Sequence, residues 1–377
     1  MDLHLTHTKV RASTSRLGYL DWMRGVAAVA MLQGHVFHSF TGKQWREGSA
    51  YTLSQFFGGM PPALFLFLTG VTLAFLMDSS EKKALPPLER VIVALRRSAY
   101  LFSLAYLFRF QLWLFGWPNS PWTDLLKVDI LNCMGLGMAS MAVMSVFSTF
   151  QRARYSTVLG LLIACASPVV SSLDWSGAPG IIRSYLIPDV NYFSFFPWAS
   201  FLAFGVAAGS LIRIIPPAAG ERFMQWSALM GFGLLLGGGF FFNVPYSLYS
   251  KSEFWLDSPG LVLMKLGAIL LLMALGFVWN EHVIKGRWNW LLQMGTTSLL
   301  VYWVHIELVY GRWFWAWKEN LTVGQTTLVS VAIIGLMLAL SVARTRWSQW
   351  SGRLVRSLKL KRAPLPEPAR ESTQSSP

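Results

Sequence analysis

Ten apolar runs constrain this chain more than any other feature, because each is near the length that a helix needs to cross about 30 Å of hydrocarbon. The chain is 54% hydrophobic and only 13% charged, which excludes an ordinary soluble domain. We therefore predict an all-α fold, a polytopic membrane helical bundle with about ten transmembrane helices. The predicted helices cover residues 19–40, 57–77, 91–115, 130–148, 157–173, 192–211, 226–242, 259–279, 290–310 and 322–343.

The pattern divides the chain into a cytoplasmic N-terminal segment at 1–18, a transmembrane domain at 19–343 and a basic tail at 344–377. Apolar residues recur at helical spacing among the Lys and Arg residues of the tail: Trp347, Trp350, Leu354 and Leu358. This pattern is typical of a helix that lies on anionic lipid headgroups, so membrane lipids are expected partners of the tail. The Pro- and Ser-rich end of the tail predicts disorder.

The net charge of +14 has a membrane explanation, so we expect no nucleic-acid partner. With the N-terminus inside, 22 of the 32 Lys and Arg residues fall in cytoplasmic segments, and seven fall on the opposite side. Such an excess is the usual asymmetry of membrane proteins. We therefore expect a multi-pass protein of the cell's inner membrane with both termini in the cytoplasm.

Two ionisable residues of the first predicted helix share one face. Arg24 and His35 are separated by about 20° around a helix and by about 16 Å along it. A charge in hydrocarbon is costly, so both residues are functional candidates, and Asp21 can lower the cost by pairing with Arg24. His38 follows His35 by one turn, either as a substrate contact or as an interhelical hydrogen-bonding group.

Polar residues of two other predicted helices can reach the depth of His35. His305 lies about fifteen residues into the ninth helix, with Tyr302 one turn before it. His305 either orients substrate or shares a proton network, and a packing hydrogen bond is the alternative. Asp129 either supplies an acidic group at this level or caps the fourth helix, while Asn132 either polarises a carbonyl or bonds to another helix.

Two further cations fall within predicted spans. Lys265 lies several residues into its helix, and Arg109 lies near the outer end of its own. We expect each to have a structural role, either extending towards water at the outer face or pairing within the protein, and a functional role is the alternative. The sequence shows no metal-ligand spacing, and no metal is expected.

A helix face with a cation near one end and an imidazole near the other fits acyl transfer from a cytosolic thioester. Coenzyme A carries phosphates, which Arg and Lys bind, and a long pantetheine arm that ends in the reactive sulfur. If the arm runs along this face, His35 either acts as general base for the acceptor or accepts the acyl group itself. The arginines expected at the phosphates are Arg24, Arg90, Arg96 and Arg97.

Several motifs make the chain similar to the transmembrane acyltransferase superfamily. LDWMRG at 20–25, followed by His35, resembles the LD-x-x-RG and R-x(10)-H pattern of that superfamily. Within it, ALFLFLTG at 63–70 resembles the heparan-alpha-glucosaminide N-acetyltransferase catalytic family more than the related inner-membrane O-acyltransferases. Further similarity lies in DILNCMG at 129–135, FPWA at 196–199 and TSLLVYWVH at 297–305.

The resemblance extends from about residue 16 to about residue 311. It implies a bundle of ten or eleven helices, an acyl-CoA donor, a catalytic histidine at His35 and an essential arginine at Arg24. It does not imply heparan as the acceptor.

The expected function is therefore transfer of an acyl group, with acetyl as the first choice, from acetyl-CoA or another acyl-CoA to a hydroxyl or amine of a sugar or glycan. His305 and Asp129 join His35 and Arg24 as expected catalytic residues, on the acceptor side. The expected substrate contacts are His38, Asn132 and Tyr302. The competing predictions are a secondary transporter or lipid-linked glycan flippase, in which the same residues relay protons, and a structural subunit.

Overall fold

The computed structural model describes residues 17–188, 193–244 and 248–361, with side chains up to residue 351. Its helices are α1 (Gly18–Phe40), α2 (Ser49–Gly58), α3 (Pro61–Lys82), α4 (Pro87–Gly116), α5 (Ile130–Met141), α6 (Thr149–Ser172), α7 (Gly180–Leu186), α8 (Phe195–Ile214), α9 (Gly220–Asn243), α10 (Pro259–Val278), α11 (Trp290–Thr296), α12 (Ser298–Tyr310) and α13 (Val323–Lys361). Residues 1–16 of the predicted N-terminal segment and 362–377 of the predicted tail lie outside the described residues.

Long apolar helices dominate the described residues, which form no β-strand. Eight stretches are long and apolar enough to cross a membrane: Ser49–Lys82, Pro87–Gly116, Trp122–Val146, Thr149–Ser172, Phe195–Ile214, Pro217–Asn243, Pro259–Ile284 and Val323–Ser351. Helix α1 has 23 residues and is not among these eight, and α12 is a shorter apolar helix. The predicted fold class, an all-α polytopic membrane bundle, is confirmed.

Several helices begin earlier than the apolar runs predicted. Helix α6 begins at Thr149 because Ser148 caps it and exchanges hydrogen bonds with Gln151 in a capping box. Helix α4 begins at Pro87, where proline suits the first helical turn. The polar first turns of both helices lie outside the hydrophobic windows, so hydropathy alone places their starts too late.

Two predicted boundaries near the C-terminal end are wrong. The predicted helix at 290–310 is broken at Thr297, where the backbone leaves helical geometry (φ −120°, ψ 20°) and the side chain bonds to Ser341 of α13. The predicted helix at 322–343 ends too early, because α13 continues to Lys361. No Gly or Pro falls between residues 336 and 351 to end that helix.

Glycine contacts hold the helices around the site close together. A Cβ on Gly70 of α3 would overlap the Leu202 carbonyl oxygen of α8. On the other side, a Cβ on Gly25 of α1 would overlap the Leu291 carbonyl, and one on Gly295 of α11 would overlap the Asp21 carbonyl. The missing side chains let these backbones approach closely, which fixes the walls of the cavity described next.

Candidate active site

A cavity of about 860 Å³ runs between α1, α3, α4, α5, α11 and α12. Both Arg24 and His35 line it, so the predicted face of α1 is one wall of a single space. The two residues lie about 16 Å apart along the helix. We call the part of the cavity near each of them the Arg24 end and the His35 end. The wall between them is mostly apolar, with Met31 and Leu68 among its residues.

The His35 end holds two imidazoles in direct contact. Nδ1 of His35 lies 2.9 Å from Nε2 of His305, and the two rings are nearly parallel, at 14°. Nδ1 of His305 lies 2.8 Å from the carbonyl oxygen of Val301. A carbonyl only accepts, so Nδ1 of His305 carries the hydrogen and its Nε2 is the acceptor in the neutral ring.

This chain of hydrogen bonds also determines the tautomer of His35. Since Nε2 of His305 accepts, Nδ1 of His35 donates to it, and the lone pair of neutral His35 is on Nε2. Within the described residues, no hydrogen bond uses that Nε2. His35 therefore presents a basic nitrogen while its other nitrogen is held between helices.

Tyr310 connects His35 to the rim of the cavity. Its ring packs against His35 at 5.3 Å, edge to face, and its hydroxyl lies 3.2 Å from Nδ1 of His38. Tyr310 lines the cavity, whereas His38 is exposed and lies outside the lining. The sequence reasoning missed Tyr310, for which we find no signal in the sequence.

An ion pair adds charge to the His35 end. Nε of Arg109 on α4 lies 3.2 Å from Oδ2 of Asp129, which precedes α5, and both residues line the cavity. Arg109 therefore pairs within the protein and does not extend towards water, because the nearby carboxylate takes the place of water beside the guanidinium. Its position inside a membrane span was the signal that could have marked it as functional. Tyr302 lines the cavity beside them, with its ring 5.9 Å from that of His305.

Asp129 and Asn132 form a capping box at the start of α5. Oδ1 of Asp129 accepts hydrogen bonds from the backbone N–H groups of Leu131 and Asn132, and the Asn132 side chain accepts one from the Asp129 N–H. The Asn132 amide nitrogen donates to the hydroxyl of Tyr185. Asn132 is thus occupied by its neighbours and does not line the cavity, whereas Asp129 keeps Oδ2 towards Arg109.

The Arg24 end contains two of the four arginines predicted to bind the donor. Arg24 pairs with Asp21 at 2.6 Å, as the spacing predicted, and Arg97 lines the cavity from α4. Arg96 is exposed outside the lining, and Arg90 donates to the Val146 carbonyl.

Lys265 also makes its contacts within the protein. Its Nζ donates to the Gly59 carbonyl at 3.0 Å and lies 4.8 Å from the centre of the Trp198 ring. Of the two structural alternatives, the structure shows contacts within the protein, and these groups take the place of solvent around the ammonium. Within the described ranges, no three His, Cys, Asp or Glu side chains are grouped so that they could hold a metal ion.

Comparison with known proteins supports the sequence motifs. The family model described as "Heparan-alpha-glucosaminide N-acetyltransferase, catalytic" matches residues 16–236, which is more than half of the chain. The chain belongs to this family. No curated protein matches it. Membership of this family places the chain among membrane acyltransferases. The matched segment includes Arg24, His35, Arg109 and Asp129, whereas His305 lies beyond it.

Proposed function

We propose that the protein moves an acyl group, with acetyl the expected one, from cytosolic acyl-CoA to a hydroxyl or amine of a sugar or glycan at or across the membrane. The strongest support is one observation. A single cavity has arginines at one end and, about 16 Å away, a histidine whose hydrogen bonds leave Nε2 basic.

The Arg24 end suits the donor. Arg24 and Arg97 line the cavity, and a guanidinium group binds phosphate oxygens through charge-assisted hydrogen bonds. The pantetheine arm of coenzyme A would then follow the apolar wall and carry the thioester to His35. In this orientation the Arg24 end faces the cytoplasm, which agrees with the excess of Lys and Arg in the predicted cytoplasmic segments.

His35 supplies the base. Its Nε2 takes the proton of the acceptor hydroxyl while the hydroxyl oxygen attacks the thioester carbonyl carbon. The carbon–sulfur bond breaks, and the thiolate of coenzyme A receives the proton from His35. Transfer of the acyl group first to Nε2, and then to the acceptor, uses the same nitrogen.

His305 acts as a positioning residue in either route. When His35 becomes cationic, its Nδ1–H to Nε2 of His305 becomes a charge-assisted bond, which is shorter and stronger than a neutral one. The Val301 carbonyl keeps His305 in the accepting tautomer throughout.

The test is release of CoA from acetyl-CoA by protein reconstituted in liposomes, with a panel of neutral and amino sugars and their oligosaccharides. His35→Ala should lower acceptor-dependent release by about 100-fold or more, the usual contribution of a general base. The matched control is His282→Ala, because His282 is exposed and outside the cavity. If wild-type protein releases no CoA with any acceptor or donor chain length, the acyltransferase proposal fails and a flux assay for transport is the next experiment.

A further inference from the structure

A second cavity, of about 370 Å³, lies between α4, α5 and α7 on the exposed side of the bundle. Its lining is apolar or aromatic and includes Phe102, Tyr106, Leu136, Ile181, Ile182 and Tyr185. We call this cavity the α7 groove. It is open to its surroundings, since Ile182 is 45% exposed and Tyr106 is 40% exposed. Because α4 is one of the stretches long and apolar enough to cross a membrane, the α7 groove faces the hydrocarbon of the bilayer.

The two tyrosine hydroxyls at the α7 groove are already hydrogen-bonded. The hydroxyl oxygens of Tyr106 and Tyr185 lie 2.9 Å apart, and the Tyr185 hydroxyl also accepts a hydrogen bond from the Asn132 amide nitrogen at 3.0 Å. The tyrosines therefore present their rings to an occupant, beside the aliphatic side chains of the other walls. Such a lining suits a hydrocarbon chain, whereas a sugar in it would leave its own hydroxyls without partners.

The same hydrogen bonds connect the α7 groove to the His35 end of the catalytic cavity. The Asn132 side chain that donates to Tyr185 also accepts a hydrogen bond from the backbone N–H of Asp129. Asp129 lines the catalytic cavity, where it pairs with Arg109. One residue, Asn132, thus bridges a wall of the α7 groove and a wall of the site. A chain that lies beside Tyr185 ends close to the place where acyl transfer is proposed.

We propose that the α7 groove holds the hydrocarbon chain of a lipid-linked acceptor, whose sugar head group is acylated at the His35 end. The inference rests on the proposed acyl transfer and narrows its acceptor from any sugar or glycan to one that is anchored in the membrane. A chain that moves from the bilayer into the groove gains little hydrophobic energy, because lipid is as apolar as the groove. The groove instead supplies orientation, since a chain held there keeps the sugar beside His35.

The experiment gives the protein the same sugar with and without a long chain. Methyl and hexadecyl glycosides of glucose and of glucosamine are compared in the liposome assay with acetyl-CoA, and the acylated products are measured by mass spectrometry. A hexadecyl chain also concentrates the sugar at the membrane, but this contribution is the same for every protein variant. The variants therefore isolate the contribution of the α7 groove.

Ile182→Trp fills the α7 groove with a larger side chain at an exposed position, so the variant should fold. It should lower kcat/KM for the hexadecyl glycosides by about tenfold or more, the size of effect that the shape of an apolar pocket usually has. The methyl glycosides should keep their wild-type kcat/KM. Leu162→Trp is the matched control, because Leu162 is 60% exposed and lines neither cavity, and it should change neither acceptor.

A photoreactive probe gives a second readout that does not depend on turnover. A hexadecyl glucoside with a diazirine in its chain, in phosphatidylcholine liposomes, should label peptides of α4 and α7 above the other helices. An excess of hexadecyl glucoside should compete with this labelling, and methyl glucoside should not. Ile182→Trp should reduce it, whereas Leu162→Trp should not.

Two results would overturn this inference and leave acyl transfer intact. One is an unchanged kcat/KM for the hexadecyl glycosides in Ile182→Trp. The other is probe label spread evenly over the helices, which would show that ordinary phospholipid occupies the α7 groove, whatever the variant does. Absence of CoA release with every glycoside would instead overturn the proposed function and, with it, this inference.

Discussion

The two ends of the cavity each hold an arginine paired with an aspartate, but the pairs are built differently. Arg24 and Asp21 are three residues apart on α1, with 2.6 Å between their charged atoms. Arg109 and Asp129 come from two different elements and are 3.2 Å apart. The first pair needs only one helix, whereas the second exists only when α4 and α5 are packed against each other.

Under the proposed function, this difference suits donor binding at one end and acceptor binding at the other. A local pair is present whenever α1 is helical, so Arg24 can meet a donor that always carries the same phosphates. A pair between two elements depends on how they pack, so substitutions at the His35 end can change acceptor choice without changing the donor. Donor binding and acceptor choice should therefore respond to separate sets of variants.

The largest effect expected from this division is on the KM for acetyl-CoA. Arg97→Ala should raise it by about tenfold or more, because a hydrogen bond to a charged group contributes about 1.5–3 kcal/mol. Arg96→Ala, one residue away but outside the lining, should change it by less than about twofold, the size of a weak surface interaction. Initial rates at varied acetyl-CoA and saturating acceptor measure both variants.

Arg109→Gln tests whether donor binding is independent of the His35 end. It should leave the KM for acetyl-CoA near the wild-type value while it changes acceptor selectivity. A donor KM that rises equally in the Arg97→Ala, Arg96→Ala and Arg109→Gln variants would show that the ends are not separate.

A moderate effect is expected on stability at the Arg24 end. Gly295→Ala places a Cβ against the Asp21 carbonyl and should cost about 1–3 kcal/mol, as overpacking usually does. Gly335→Ala is the matched control, because no atom lies within 4 Å of its added Cβ and alanine favours a helix. Thermal unfolding in detergent compares the two variants, and equal melting temperatures would argue against a close contact between α1 and α11.

The smallest effect on stability is expected at the rim of the His35 end. Here Glu319, in the loop before α13, forms ion pairs with Lys43 and Arg46, which follow α1. A hydrogen bond from Lys43, with further attraction from Arg46, holds the pKa of the exposed Glu319 carboxyl below its ordinary value. The folded pKa is the lower one, so this stabilisation is present above the unfolded pKa of about 4.3 and is lost as pH falls through the folded pKa.

Glu319→Gln should therefore remove a small part of the acid dependence of stability between about pH 5 and pH 3. Hydrogen exchange of the backbone N–H of residue 319, which donates to the Ser39 carbonyl, provides a local measurement. Identical exchange profiles for wild type and variant across this range would contradict a contribution from the carboxylate.

Features contained within one helix could be predicted from the sequence. The face shared by Arg24 and His35, the pair of Arg24 with Asp21 and the cap at Asp129 all depend on spacings of at most eleven residues. The membrane bundle itself follows from hydropathy, which needs no knowledge of which helices touch.

Features that depend on packing could not be predicted in the same way. His35 and His305 are 270 residues apart, and their depth alone did not show that they bond directly. Similarly, nothing in the sequence indicated that Arg109 turns to Asp129. The break at Thr297, where the hydroxyl contacts Ser341 of α13, lies inside an apolar run and so escaped the hydropathy window.

The hydrogen-bond chain from Val301 through His305 to His35 also makes the two imidazoles chemically unequal. An acylating reagent such as diethylpyrocarbonate attacks an unprotonated ring nitrogen, and only His35 has one that no described residue hydrogen-bonds. Within this pair, Nε2 of His35 can therefore be labelled covalently by such a reagent, whereas both ring nitrogens of His305 are hydrogen-bonded. The rate of labelling reports whether the cavity is occupied, which gives a way to titrate donor or acceptor binding without turnover.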